Sequence, residues 1–479
     1  MNKSVVASRI ATDRGVWGAV GEMLLAGLDL AVREVTLFAA VGFLIFGLDD
    51  LFVDVGWAWH RLRYGSTRRA LADLPHPETP RRIAMFVPAW EEAGVIGAML
   101  STALARLDHS SYRLYVGCYP NDAATIAVVT AVAARDDRIR LVIGPRAGPT
   151  TKADNLNTLW RTLCADDAAA GTVTRAVVLH DAEDVVHAAE LKVYDALIGD
   201  HPLVQIPVMP LIDPAARLVS GHYADEFAES HGRQMVLRAA IGAGLPLSGV
   251  GCAIATEVLV ALEAAHGAPF DEASLTEDYE LGLRAAALGY AACFARVSDD
   301  AGHLIATRAY FPFTVATAVR QKSRWITGIA LAGWDRIGWG RWWHVAEHWM
   351  RMRDRRAPAA VILLVAAYCA ILGWGIAAGV HALLRTPLPG LGKTMGVVLL
   401  CNAALLAWRL VWRFATTAHA YGWREGLWSL PRAVVGNLIA MLAARHAAGR
   451  YARLLAGRPP HWDKTAHVFP LTPDELASR

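Results

Sequence analysis

Long apolar runs separate the chain into membrane-like and globular regions. Three segments are apolar enough to cross a bilayer, a distance that needs about 20 helical residues. They cover residues 35–48, which need flanking residues to reach that length, 358–384 and 395–414. A fourth stretch, 433–444, is shorter and fits an interfacial or re-entrant helix better than a span. The hydrophobic pattern therefore predicts three membrane spans.

Between residues 80 and 300, short β-branched runs alternate with helical stretches. Strands separated by helices of crossover length predict a parallel sheet with helices on both faces. Ligands of such sheets bind beyond the carboxyl ends of the strands, so polar residues that follow each strand are candidates for a site. The predicted strands are residues 83–87, 114–118, 139–143, 176–180 and 204–208, and the predicted helices are 95–106, 123–135, 152–164 and 190–199.

Arginine clusters predict which side of the membrane the middle region occupies. Basic residues favour the cytoplasmic side of a span, so residues 60–357 are expected in the cytoplasm and the Arg-rich C-terminal segment on the same side. The clusters are Arg61, Arg63, Arg68 and Arg69 after the first span, and Arg351, Arg353, Arg355 and Arg356 before the second.

Composition suggests membrane segments. Of the 479 residues, 54% are hydrophobic and only 19% are charged, below the roughly 25% charged residues of soluble domains. The net charge of +3 gives no strong basic field, so nucleic acid is not expected as a partner. The six cysteines are scattered singly among apolar residues, which predicts reduced, buried thiols. Acidic residues within 1–34 argue against a signal peptide.

An acidic run follows the predicted strand at 176–180. The residues His180-Asp181-Ala182-Glu183-Asp184 would place several carboxylates together at a strand end. A divalent Mg or Mn cation relieves such repulsion, because it binds carboxylate oxygens and completes its shell with substrate phosphates. A solvated acidic loop or helix N-cap is the structural alternative. The metal ligands predicted here are Asp181 and Glu183.

Two further motifs carry candidate chemistry. Thr276-Glu277-Asp278 opens a predicted helix, where Thr276 fits an N-cap and Asp278 fits a general base that accepts a proton from a sugar hydroxyl. Gln321, Arg324 and Trp325 form a Q-x-x-R-W pattern. Its arginine can clamp a diphosphate and its indole can stack on a sugar ring. A membrane-surface helix is the alternative for this basic and aromatic stretch.

In their order, these motifs resemble the inverting family-2 glycosyltransferases, which have an α/β, Rossmann-like GT-A fold. Pro88-Ala89-Trp90-Glu91-Glu92, Asn121-Asp122 and the segment 152–157 complete the series. The resemblance covers residues 80–330. It departs from the family pattern at Glu183, where Asp is usual, at Trp90, and at Asn121-Asp122.

The resemblance implies a role for each matching residue. It implies that Asp278, with Glu277, is catalytic, and that Trp325 binds the acceptor sugar, while close approach to the backbone suggests Gly249 and Gly251 as acceptor contacts or as an ordinary turn. Lys152 is either a donor contact or a surface lysine. The expected nucleotide-sugar contacts are Pro88, Glu91, Glu92, Asp122, Lys152, Asn155, Asp181, Gln321 and Arg324.

Residues 321–334, QKSRWITGIALAGW, and 462–470 resemble more closely the phage adsorption protein B type of inner-membrane glycosyltransferase. This type implies export of a surface glycan with an outer-membrane partner. The resulting hypothesis is a multi-pass bacterial inner-membrane enzyme that polymerises an exported polysaccharide from a UDP-sugar, with an N-acetylhexosamine among the candidate sugars. Three spans are few to enclose a polymer, so self-association or a partner chain is expected.

Two other hypotheses remain open on the sequence. One is transfer of a single sugar to a polyprenyl phosphate, and the other is a membrane receptor component without catalysis. The predicted organisation is a membrane region at 1–74, a cytosolic catalytic domain at 75–310, interfacial helices at 311–357, two spans at 358–415 and a cytosolic or interfacial segment at 416–479.

Overall fold

The computed structural model describes residues 3–458 and 468–470, with side chains from residue 20 onward. The helices are α1 Lys3–Tyr64, α2 Ile96–Arg106, α3 Ala123–Ala133, α4 Lys152–Ala170, α5 Glu190–Leu197, α6 Arg217–Glu229, α7 Met235–Ala240, α8 Thr256–His266, α9 Glu277–Ala287, α10 Val315–Trp325, α11 Gly333–Ile337, α12 Val345–Arg355, α13 Ala357–Leu384, α14 Lys393–Tyr421 and α15 Trp423–Leu455. The strands are β1 Arg68–Ala70, β2 Ile83–Pro88, β3 Tyr112–Cys118, β4 Ile139–Ile143, β5 Ala176–Leu179, β6 Leu203–Gln205, β7 Val208–Leu211, β8 Cys252–Ala255, β9 Ala292–Phe294, β10 Arg296–Ser298 and β11 Thr307–Tyr310.

The chain divides into two compact units. One consists of Met1–Phe52 and Pro358–Val411, and the other of Val53–Ala357 and Trp412–Arg479. The first unit is helical, and its helices pack closely where small residues face larger ones: a Cβ at Gly373 would lie 2.8 Å from Val32. Polar side chains add contacts, since the Trp374 indole donates to the Thr36 hydroxyl at 2.9 Å.

Four helices within the described residues are long and apolar enough to cross a membrane. They are Val20–Tyr64, Ala357–Leu384, Lys393–Tyr421 and Trp423–Leu455. The first three contain the spans predicted from the sequence. The fourth contains the stretch 433–444 but continues far beyond it, so the sequence underestimated its length. Its apolar run is interrupted by Arg432, which is buried and pairs with Asp225.

Two further details concern single side chains. Asp50, one of the acids that follow the first apolar run, lies near a cation of the same helical unit, with Arg409 Nε 3.7 Å from its Oδ2. All six cysteines are free, as predicted, but Cys164, Cys369 and Cys401 are exposed rather than buried.

The second unit is built on a seven-stranded sheet in the order β4-β3-β2-β5-β8-β6-β9. Four of the predicted strands coincide with β2, β3, β4 and β5 to within two residues at either end. The sheet is mixed, which corrects the all-parallel prediction, because β8 runs antiparallel to both β5 and β6. The fifth predicted strand is divided at Pro207, which lacks the N–H that a continuous ladder needs, and its second half, β7, pairs with β11 instead.

Candidate active site

One cleft lies beyond the carboxyl ends of β2 and β5 and is bordered by the starts of α4 and α9 and by α10. Its empty space is about 1320 Å³, including the solvent at its mouth. The cleft brings together side chains that are far apart in the sequence. The predicted site residues that line it are Pro88, Glu92, Lys152, Asp181, Glu183, Glu277, Asp278, Gln321, Arg324 and Trp325.

A buried histidine organises the acidic run after β5. His180 lies between two carboxylates, with Nδ1 2.9 Å from Asp184 Oδ2 and Nε2 2.8 Å from Glu190 Oε1. Burial lowers the pKa of His180, but the two acids raise this pKa by more, and the net result is a pKa of about 10. The resulting imidazolium engages Asp184, which also accepts the Asp181 backbone N–H at 2.9 Å. Asp184 also lines the cleft, but its carboxylate is engaged by His180, which leaves Asp181 and Glu183 as the acids of this run that His180 does not hold.

Lys152 is the cation of this acidic cluster. Its ammonium lies 2.5 Å from Asp181 Oδ1 and 4.0 Å from Glu277 Oε1, and it donates to the Gly249 carbonyl at 3.4 Å. Burial lowers the pKa of Lys152, but the surrounding charges of Asp181, Glu277 and Asp278 raise it by more. Lys152 is thus a charged residue of the cleft and not a surface lysine.

Asp278 sits in the first turn of α9, where its Oδ1 accepts the Tyr279 N–H at 2.8 Å. Burial and the neighbouring charge of Glu277 raise its pKa to about 7, although Lys152 and Arg324 act in the opposite direction. A carboxyl with a pKa near neutrality is well matched to general base catalysis. The predicted N-cap bond of Thr276 is absent: its side chain makes no capping hydrogen bond and packs against Gly328 instead.

Gly249 allows the backbone to approach Asp278 closely. A Cβ at this position would lie 2.6 Å from Asp278 Oδ2, and the φ of +72° is one that L side chains rarely adopt.

The two cations of the Q-x-x-R-W motif have different environments. Lys322 on α10 is buried and donates to both carboxylate oxygens of Glu226, at 2.5 and 2.6 Å. Arg324 lines the cleft and is half-buried, and within the described chain it forms no ion pair or hydrogen bond. Trp325 packs among aromatic rings, with its ring centroid 6.0 Å from Tyr223 and 6.4 Å from Phe311. The motif therefore offers one arginine to a ligand.

A second cavity adjoins the cleft. Asp278, Trp325, Thr276 and Ser248 line both spaces. The second cavity also contains Asp354, which accepts from Arg238 at 2.8 Å and from the Tyr279 hydroxyl at 2.9 Å. The carboxyl of Asp278 thus belongs to a wall that two compartments share.

Several predicted site residues do not line the cleft. Asp122 accepts the Glu91 N–H at 2.6 Å and caps α3, and Glu91 has a φ of +52°. Asn155 is buried and donates to the Gly117 carbonyl at 3.0 Å. Gly251 packs against Thr307 beneath β8. These contacts shape the walls around the cleft, and the nucleotide or acceptor roles of these residues remain predictions.

The geometry can be compared with known proteins. The family model described as glycosyltransferase like family 2 matches residues 80–328, more than half of the chain and all of the sheet strands that border the cleft. The chain belongs to this family. It is therefore a glycosyltransferase, and its mixed sheet with a cleft at the strand ends is the predicted GT-A architecture. The resemblance inferred from the motifs is confirmed.

The curated relatives of this glycosyltransferase are longer than the chain. Bacteriophage adsorption protein B of Escherichia coli K12 is 33% identical over 467 residues, which cover 92% of this chain and 62% of that protein. Bacteriophage N4 adsorption protein B of E. coli O157:H7 matches to the same extent. The chain thus spans 62% of the length of these relatives.

Solved structures give weaker matches. A mannosyltransferase from Pyrobaculum calidifontis in complex with GDP-Man and Mn²⁺ has a TM-score of 0.47 at 16% identity, covering 86% of this chain and 99% of that one. Glucosyl-3-phosphoglycerate synthase from Mycobacterium tuberculosis, in complex with Mn²⁺ and UDP-glucose, has a TM-score of 0.33 at 19% identity, covering 54% and 79%. Both scores are too low to indicate a substrate for this chain.

The glycosyltransferase cleft is also lined by residues to which the sequence analysis assigned no contact with a ligand. Trp90 and the aromatic run 310–313 line it, and that run lies just before the Q-x-x-R-W helix, where its aromatic content could have marked it. Val468 lines the cleft as well, and Phe469 is buried in the core of the sheet. They belong to the predicted C-terminal motif at 462–470, of which residues 462–467 lie outside the described chain.

Proposed function

We propose that this family-2 glycosyltransferase is a bacterial inner-membrane enzyme that transfers a sugar with inversion from a nucleotide-diphosphate donor, a UDP-sugar, to a growing polysaccharide for export. The observation that carries the proposal is the convergence in one cleft of Asp278, the acids Asp181 and Glu183, and Arg324, which forms no ion pair with any described residue. A base, a set of oxygen ligands and a free guanidinium are the groups that such a transfer requires.

The reaction follows from where these groups lie. An acceptor hydroxyl gives its proton to the Asp278 carboxylate as its oxygen forms a bond to the anomeric carbon of the donor. The bond from that carbon to the diphosphate breaks, and the diphosphate takes the electron pair. Arg324 stabilises the negative charge that develops on the leaving diphosphate. Because the acceptor oxygen attacks opposite the leaving group, the sugar configuration inverts.

Asp181 and Glu183 fit a divalent Mg or Mn cation. Both are hard oxygen donors, and two carboxylates suffice because substrate phosphates and water complete the shell of such a cation. Among the described residues, no cluster of three or more His, Cys, Asp or Glu side chains is arranged for a metal, so the proposed site depends on these two carboxylates and on ligands from the substrate. When bound, the cation would neutralise the donor diphosphate.

The acceptor is expected to approach Asp278 from the second cavity. Trp325 lines both compartments and can stack on a sugar ring as it passes between them. The apolar helices and the flanking arginines favour a membrane enzyme with its cleft in the cytoplasm. An outer-membrane partner and self-association belong to the same proposal, since export needs a path across the envelope.

The proposal is tested with the full chain purified in detergent and supplied with a panel of UDP-sugars, including N-acetylhexosamines, and with Mg²⁺ or Mn²⁺. We expect transfer from one donor, release of UDP, and products of many sugar units by mass spectrometry. Products of a single sugar on an added polyprenyl phosphate would contradict polymerisation. The enzyme assignment would be contradicted if no UDP-sugar of the panel supported transfer and if wild type released no more UDP than an Asp181→Asn/Glu183→Gln variant.

Metal removal gives a separate prediction. We expect a chelator to reduce transfer by at least about 100-fold, because the diphosphate would then leave without the charge stabilisation that a cation supplies. Titrating Mn²⁺ back should restore the rate. The single variants Asp181→Asn and Glu183→Gln should each need more Mn²⁺ for half-maximal rate, whereas an unchanged metal requirement in both would contradict their assignment as ligands.

The rate should depend on pH through Asp278. Only the deprotonated carboxylate accepts a proton, so with a pKa of about 7 the turnover rate should rise between pH 6 and 8 and then level off. Glu277→Gln removes a neighbouring negative charge that raises this pKa, so the rising limb should move to lower pH. A limb that stays in place in this variant would show that another group is responsible.

Gly249→Ala should disable the enzyme without unfolding it. The new Cβ would meet Asp278 Oδ2, and we expect at least about a tenfold loss of turnover together with about 1–2 kcal/mol of backbone strain. Gly242→Ala is a matched control, because Gly242 has a φ of +71° but no atom within 4 Å of its Cβ position. Both variants should lose similar stability in thermal unfolding, and only Gly249→Ala should lose activity. Equal activities would contradict the role of Gly249.

A further inference from the structure

A small parallel pair of strands in the sheet-containing unit places two arginines side by side. β1 and β10 pair in a register that sets Arg68 opposite Arg296. Register partners on paired strands project from the same face of the ribbon, and like charges in this position are destabilising. Arg61, in the last turn of α1, adds a third positive charge nearby. The arrangement costs free energy unless an anion offsets it.

The residues that the structure describes do not supply that anion. Across the described part of the chain, none of these three arginines forms an ion pair with a carboxylate. The Nε atoms of Arg68 and Arg296 are both buried and have no hydrogen-bond acceptor. Their other contacts are to neutral carbonyl oxygens, Arg68 to Gly302 and Arg296 to Gly232, the latter at 3.4 Å.

The environment of Arg296 contains an excess of positive charge. Burial lowers its pKa, and the charges of Arg68 and Arg61 lower it further, with no acid acting in the opposite direction. Arg233 lines the same cavity but is compensated, since it pairs with Asp54 and with Glu229 at 3.3 Å. The contrast is one of charge: Arg233 has two carboxylate partners, whereas Arg296 has none among the described residues, and a buried charge without a partner of opposite sign is costly.

The cavity beside these arginines has the features of a membrane boundary. Its empty space is about 860 Å³, including the solvent at its mouth, and it is lined by Arg61, Arg296, Trp57, Trp412 and His419, while Arg68 lies opposite Arg296 on β1. The rings of Trp57 and Trp412 meet edge to face, with centroids 5.6 Å apart. Trp57 and Arg61 lie near the end of α1, and Trp412 and His419 near the end of α14, both helices being candidate spans. Tryptophan at the ends of spans is typical of the lipid headgroup region.

We propose that Arg61, Arg68 and Arg296 form a binding site for the phosphate of an anionic phospholipid headgroup. Guanidinium groups bind phosphate oxygens through several directed N–H donors, and the two unsatisfied Nε groups provide such donors. The tryptophans fit the boundary between headgroup and acyl chains. Anionic lipids are concentrated in the cytoplasmic leaflet, on the side that the flanking arginines predict for this part of the chain.

The experiment compares lipid binding by the full chain and two variants in detergent. Phosphatidylglycerol and phosphatidylcholine are added in turn, and bound lipid is measured by native mass spectrometry. Wild-type protein should retain phosphatidylglycerol in preference to phosphatidylcholine. Arg68→Gln/Arg296→Gln should bind phosphatidylglycerol roughly 30-fold more weakly, at about 1 kcal/mol for each arginine. Arg63→Gln, an exposed arginine on the same last turn of α1 outside the cavity lining, is the matched control and should bind as wild type.

Thermal unfolding provides a second readout. Without lipid, the double variant should be at least as stable as wild type, because it relieves the repulsion between Arg68 and Arg296. Phosphatidylglycerol should raise the melting temperature of wild type and of Arg63→Gln, but not that of the double variant. Undiminished phosphatidylglycerol binding by the double variant would overturn the site. Displacement of the lipid by millimolar inorganic phosphate or UDP would overturn the lipid assignment in favour of a soluble phosphate.

Discussion

Asp278→Asn should lower the rate of sugar transfer by about 10²–10⁴-fold, the range that a positioned general base contributes. The amide has nearly the same shape as the carboxyl but cannot take up the proton of the acceptor hydroxyl. Asp278 is half-buried in the wall that the two compartments share, where the acceptor hydroxyl is expected to approach it. Binding of the nucleotide diphosphate should change little, because Arg324 and the acids after β5 remain.

The measurement is the turnover rate together with the affinity for UDP, obtained by calorimetry on the same preparation. Asp137→Asn, which changes an exposed carboxylate far from the cleft lining, serves as the control and should keep the wild-type rate. A turnover rate of Asp278→Asn within a few-fold of wild type would show that another group removes the proton. Loss of UDP affinity equal to the loss of rate would instead place Asp278 in donor binding.

Arg324→Ala should lower transfer by about 10²–10³-fold, since one group aimed at charge that develops in the transition state is worth that much. Affinity for the intact UDP-sugar should fall as well, but by less, because the charge on the diphosphate is greater once the glycosidic bond has broken. Arg324→Lys should recover part of the rate, as a lysine retains the charge without the bidentate geometry. The distinction between rate and affinity separates transition-state stabilisation from simple binding.

Arg320→Ala is the matched control on the same helix. Arg320 is exposed and does not line the cleft, so its removal should leave both rate and UDP affinity unchanged. Lys322 cannot serve this purpose, because it is buried and pairs with the half-buried Glu226, so its removal would take away the cation that this carboxylate contacts. Equal and small effects of Arg320→Ala and Arg324→Ala would contradict the role of Arg324.

Local sequence patterns were sufficient to place much of the sheet and its motifs. Buried strands such as β2 and β5 are continuous apolar runs and are easily recognised. Because the acids at 181–184 follow β5 directly, they lie at its carboxyl end, where ligands of such sheets bind. The antiparallel β8 was missed because Cys252–Ala255 is short and apolar, without a pattern that distinguishes a strand from other buried backbone. The position of β8 between β5 and β6 depends on contacts between residues that are far apart in the sequence.

The arrangement of the cleft could not be predicted from the sequence for a related reason. The sequence could nominate Lys152, but only the fold shows its ammonium beside Asp181 and Glu277. Likewise, His180 contacts Glu190 and Lys322 contacts Glu226. These charged groups are therefore paired within the protein and are not available to a ligand. Arg324 stands out from the other cations of the motif only after these pairs are known. Long-range pairing of this kind has no periodic signature along the chain.

The most direct test of the proposed catalytic arrangement is an experimental structure of the full chain with UDP and Mn²⁺. The diphosphate should lie in the cleft with the cation bound by Asp181 and Glu183, Arg324 within hydrogen-bonding distance of a phosphate oxygen, and Asp278 across the sugar site from the diphosphate. A nucleotide bound elsewhere, or one in this cleft whose phosphates contact neither the acids after β5 nor Arg324, would contradict the arrangement.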